Sequence, residues 1–130
     1  VQATWNLLER SAELALRNAH DLGLQVIIKE SVANGRLTSR NQAPEFRSRK
    51  NQLNQLASRY QTTIDAISIA AALNQPWAGT VLSGATTAEQ IASNNSATTL
   101  QWDKELESQT SLIAEPPTDY WKSRSRLPWN

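Results

Sequence analysis

Three short β-prone runs, each followed by a stretch with helical periodicity, constrain this chain more than any other feature. Val1-Gln2-Ala3-Thr4-Trp5 comes first, and Ala12, Ala15, Leu16 and Ala19 then recur at helical spacing behind Ser11 as a candidate N-cap, with Gly23 as a stop. Leu24-Gln25-Val26-Ile27-Ile28 has the apolar, β-branched character of a strand buried on both faces of a parallel sheet. A long connection, Lys29 to Arg49, precedes a helical stripe of Leu53, Leu56, Ala57 and Tyr60. Thr62 or Thr63 can cap a further helix through Asn74 that is apolar on most sides, at Ile64, Ile67, Ile69, Ala70, Ala71 and Leu73. The third unit pairs a strand over Gly79-Thr80-Val81-Leu82-Ser83 with a helix from Ala88, where Thr87 and Gln90 have the spacing of a capping box. Another helix is predicted from Asp103 to Ile113. Pro116-Pro117 is expected to close the regular structure, leaving an aromatic, basic tail.

Strand-to-helix units in succession imply an α/β fold with a parallel sheet and right-handed crossovers. A barrel of such units needs about 250 residues and eight strands, so three units leave sheet edges and one face to be covered by something else. The chain has no methionine, position 1 included, and opens directly on a β-prone run. These features point to a segment of a longer polypeptide, or to a processed amino terminus.

Composition excludes more than it assigns. Thirteen Lys and Arg against twelve Asp and Glu give a net charge of +1, no basis for binding nucleic acid or an anionic membrane. The basic loop of Arg36, Arg40, Arg47, Arg49 and Lys50 lacks the interleaved aromatics of a nucleic-acid surface. Without cysteine there are no disulfides or thiolate metal sites, and the sole histidine, His20, cannot build a histidine-rich one, so no metal is expected. No apolar run reaches the roughly 18 residues of a membrane span. A cytoplasmic setting is expected.

The segment with readable chemistry is Leu82-Ser83-Gly84-Ala85-Thr86-Thr87-Ala88-Glu89-Gln90. Glycine at a strand end, hydroxyls at Ser83, Thr86 and Thr87, and a helix N-terminus together suit a phosphate. An ordinary, well-capped β-to-α turn accounts for the same residues.

The run Val81 to Asn94 resembles the signature of the aldo/keto reductase family after its eighth strand, a Gly-Ala-Ser-type turn before a helix with Glu-Gln and a later Asn. Val26 to Leu37 is similar to the family's seventh strand and its Gly-containing loop, and Ile64 to Leu73 to its seventh helix. The resemblance implies the C-terminal part of a (β/α)8 TIM barrel, residues 1–130, built of three βα units with an additional helix and a tail from residue 114. It also implies NADP(H) as cofactor. On it, Gln2 would hold the nicotinamide carboxamide and Lys29 would lie where the family stacks an aromatic ring. Ser31 and Val32 would contact the pyrophosphate side, and Arg40 would meet a phosphate. Gly84 and Thr86 would approach the 2′-phosphate with Gln90 beside it, and Asn94 would reach the adenine. Lys29, Ser31 and Ser93 depart from the family pattern; at Ser93 an acidic residue often accepts from the adenine amino group.

The family reduces carbonyl compounds with a tyrosine tuned by a lysine, on earlier strands. Tyr60, Tyr120 and His20 match no such motif, so no catalytic residue is named. Three functions follow as expectations: part of an NADP(H)-dependent reductase of aldehydes or ketones, a nucleotide-sensing subunit without catalysis, or a half-barrel that associates with itself or a missing half. A small carbonyl substrate belongs to the first. Tyr120, Trp121 and Trp129 would line its pocket or pack on the barrel.

Overall fold

The computed structural model describes residues 1–127. Three strands, β1 (Gln2–Thr4), β2 (Ile27–Lys29) and β3 (Thr80–Val81), form one parallel sheet in the order β1-β2-β3. Gln2 aligns with Ile27 and Thr4 with Lys29, while Ile27 aligns with Thr80. Six α-helices accompany them among the described residues: α1 (Glu13–Asp21), α2 (Arg47–Arg59), α3 (Ile64–Leu73), α4 (Ala88–Asn95), α5 (Lys104–Ser111) and α6 (Pro117–Arg124). None of these is long and apolar enough to cross a membrane.

The strands are shorter than the β-prone runs that contain them, and the cause at β2 is visible. Gly23, at φ +80°, ends α1 in the left-handed conformation, and the Leu24 amide returns to the Ala19 carbonyl. Leu24 therefore belongs to the helix stop and is half-exposed. The start of α1 also departs from expectation. Ser11 does not cap it: its amide binds the buried Glu9 carboxylate at 2.7 Å, and the helix begins two residues later behind Ala12, which offers no side-chain cap.

Strand alternation sorts the sheet into two faces. Val26 and Ile28 point into a core shared with Trp5, Leu16, Leu37, Leu53, Ile67, Leu106 and Ile113. Gln2, Ile27, Lys29, Thr80 and Leu82 occupy the opposite face and none of these five is buried, whereas Thr4, in register with Lys29, is. Helix α3 lies deepest, with Ile64 to Ala72 buried apart from Asp65, and its one hydroxyl, Ser68, donates to the Ile64 carbonyl at 3.0 Å. Leu73, expected in that apolar set, is 41% exposed. Trp5 and Trp77 meet edge to face, with centroids 5.6 Å apart at 79°.

The Lys29–Arg49 connection is an ordered loop. Leu37 and Phe46 anchor it in the core, and short 3-10 turns occupy Ala33–Gly35 and Pro44–Phe46. Glu30, Ala33 and Asn34 all adopt positive φ, between 50° and 57°.

Regular structure does not close at Pro116-Pro117, as the sequence reading expects. Pro117 opens α6, because a first helical position needs no amide donor and has the φ that proline fixes. Helix α6 is clasped to the strand ends. Arg124 makes a bidentate ion pair with Glu30, with contacts down to 3.0 Å, and the buried Tyr120 hydroxyl accepts from Asn6 Nδ2 at 3.0 Å. Asn6, wholly buried, also donates to the Glu30 carbonyl and accepts from the Leu8 and Glu9 amides. Arg36 pairs with Glu115 at 2.6 Å and covers the Tyr120 ring. Trp121 is exposed, and Trp129 lies outside the described residues.

Candidate functional site

The turn from β3 into α4 is built from its own polar side chains. Gly84 sits at φ +65°, a conformation that disfavours any side chain, and open space surrounds the position a Cβ would take. Thr87 caps α4 by accepting from the Gln90 amide at 3.2 Å. Gln90 reaches back, but its Oε1 accepts from the Thr86 amide at 2.8 Å and the Thr86 hydroxyl at 3.1 Å, one residue earlier than a standard capping box. The carbonyls of the turn are held from two sides, with Ser31 Oγ donating to Leu82 at 2.8 Å and Asn94 Nδ2 to Ser83 at 3.2 Å.

Beside this turn a cleft of about 560 Å³ opens at the C-terminal ends of β2 and β3. Of the nine predicted cofactor residues, Val32, Arg40, Gly84, Gln90 and Asn94 line it. Ser31 and Thr86 stand behind the wall, tied to Leu82 and Gln90. Gln2 and Lys29 are elsewhere, on the open face of the sheet in neighbouring strands. The remaining walls come from α2, with Asn54 and Ala57, and from the start of α3, with Thr62, Thr63, Ile64 and Asp65. That second wall is not legible in the sequence, since only the packing of α3 against α4 brings Asp65 to Ser93.

The electrostatics of the cleft suit an anion beside the turn. Arg40 is exposed and makes no ion pair among the described residues. Glu89 lies in the first turn of α4, where its own backbone amide and then the Thr87 hydroxyl hold its carboxyl below the usual range. A carboxylate oxygen is thus already favoured at this helix start. Hence the residues present fit a phosphate group.

Neither described tyrosine reaches the cleft. Burial first, then the hydrogen bond to Asp103, raises the Tyr60 phenol above its ordinary range. Burial pushes Tyr120 up to about 12. His20 is exposed in the last turn of α1.

Parallel βα units with a phosphate-compatible cleft where the strands end define an α/β protein of the kind that binds ligands at its strand C-termini. The model of the aldo/keto reductase family matches residues 1–111, and the chain belongs to that family. Among solved structures it is similar to a thermostable aldo-keto reductase, Tm1743, crystallised with the inhibitor epalrestat, with a TM-score of 0.69 and 18% identity over 86% of this chain. The chain spans 38% of the length of that relative. No curated protein sequence matches it.

Proposed function

We propose that the chain is the C-terminal, cofactor-binding part of a (β/α)8 barrel in an NADP(H)-dependent reductase of aldehydes or ketones, and that the cleft takes the adenosine-phosphate end of the cofactor. The observation that carries this reading is the convergence of Val32, Arg40, Gly84, Gln90 and Asn94 on one cleft. NADPH, when bound, supplies the hydride. Arg40 pairs with a phosphate, the amides at the start of α4 exchange the Glu89 carboxylate for phosphate oxygen, and Val32 and Ile64 give the ligand apolar walls. Thr86 acts indirectly, by fixing Gln90. Gln2 and Lys29, on the open sheet face, are the groups placed to meet the nicotinamide end once the remaining strands cover that face.

A second reading, a cytoplasmic nucleotide-binding module without catalysis, draws on the same phosphate-compatible cleft. Both readings require nucleotide binding. A thermal melt with and without millimolar NADPH tests that, because a ligand at 100 times its Kd stabilises a fold by about 2.7 kcal/mol. A cooperative transition that rises with NADPH is expected. A cooperative melt that NADPH leaves unmoved refutes both readings.

A further inference from the structure

A carboxylate on the far wall of the cleft extends this reading to the base of the nucleotide. Asp65 lies in the first turn of α3, beside the N-cap Thr63. Ser93 Oγ donates to Asp65 Oδ2 at 2.7 Å and lies 3.0 Å from Thr63 Oγ1, so the carboxylate is held between two helices. Its other oxygen, Oδ1, has no hydrogen bond from any described residue. An ionised carboxylate can only accept. Close by on the same wall, Thr62 Oγ1 is buried with no hydrogen-bond partner among the described residues. Ser93 is four residues beyond Glu89, a rise of about 6 Å along α4. The cleft therefore runs from an anion-holding turn to an acceptor-only group, past the apolar side chains of Ala57 and Ile64.

We propose that Asp65, positioned by Ser93, selects adenine by accepting a hydrogen bond from its exocyclic amino group. The inference rests on the nucleotide reading of the cleft. Adenine presents an amino donor at C6, whereas guanine and hypoxanthine present a carbonyl acceptor. Opposite Asp65 that carbonyl would face a second acceptor, and both would be desolvated without a bond. Asn94, whose amide nitrogen donates to the Ser83 carbonyl, lines the same cleft.

The test is calorimetric titration of the full chain with NADPH and with its hypoxanthine analogue, in which the amino group is replaced by oxygen. The wild type should favour NADPH by about tenfold or more. Asp65→Asn, whose amide can donate as well as accept, should bring the two affinities close to parity, and Ser93→Ala should reduce the preference partially without touching the first turn of α3. An undiminished preference in a folded Asp65→Asn, or in Ser93→Ala should Asp65→Asn not fold, overturns the role of Asp65 and leaves the nucleotide reading standing. If the wild type binds neither nucleotide, both fall.

Discussion

Asn6 is the side chain whose loss should cost this fold most per atom removed. It has no exposed surface and makes four hydrogen bonds: two donated, to the Glu30 carbonyl and the Tyr120 hydroxyl, and two accepted, from the Leu8 and Glu9 amides. Asn6→Ala removes all four and leaves two buried amides unsatisfied. At a net value of about 0.5–1.5 kcal/mol per bond, loss of the four should cost about 2–6 kcal/mol, toward the upper end because buried amides are left unsatisfied. Asn6→Asp keeps both amide bonds, loses both donations, and sets a second carboxylate beside Glu30. Its deficit should shrink as the pH falls and the new carboxyl takes up a proton. Urea unfolding followed by circular dichroism reads both effects as a change in midpoint at constant slope. A loss below about 1 kcal/mol for Asn6→Ala would refute the claim that this residue ties the strand ends to α6.

Two further outcomes follow from the same geometry. Burial works to raise the Glu30 carboxyl, but the hydrogen bonds and charge of Arg124, with Asn34 and Lys29, outweigh it and hold the group below its ordinary 4.5. A depressed folded value means the clasp is at full strength above pH 4.5 and weakens as the pH falls through that lower value. The urea midpoint should therefore drop in acid more steeply for the wild type than for Glu30→Gln, and equal slopes would dismiss the idea. Thr87→Ala should destabilise the chain by about 1 kcal/mol through loss of the α4 cap, and should weaken NADPH binding by loosening the turn that Gln90 holds; unchanged affinity would separate the cap from the cleft.

The local signals were legible wherever one residue dominates. Gly23 requires a helix stop, Thr87 caps α4 as its spacing predicts, and Thr63 rather than Thr62 caps α3, whereas Asp103, read as the first residue of its helix, is the cap of α5. The nearly continuous apolar character of α3 foretold its burial. Where two segments compete or meet, the sequence is mute. Glu9, not Ser11, organises the approach to α1, and nothing in the order of residues reveals that a buried acid will take the Ser11 amide. Proline reads as a terminator, yet at a first helical position it initiates, so neither α6 nor its clasp is legible in the sequence. In the cleft, one wall follows from a contiguous motif, whereas the wall holding Asp65 arises only from helix packing.

The bond between Asn6 and Tyr120 spans 114 positions of sequence. During synthesis at about 5–20 residues per second, Asn6 precedes its partner by roughly 6–23 s, a long interval beside the microseconds a helix needs to form. Until then its amide nitrogen can serve the Glu30 carbonyl but not the tail. A pairing so distant in sequence carries a large loop-closure cost, so the clasp between the strand ends and α6 forms late in folding.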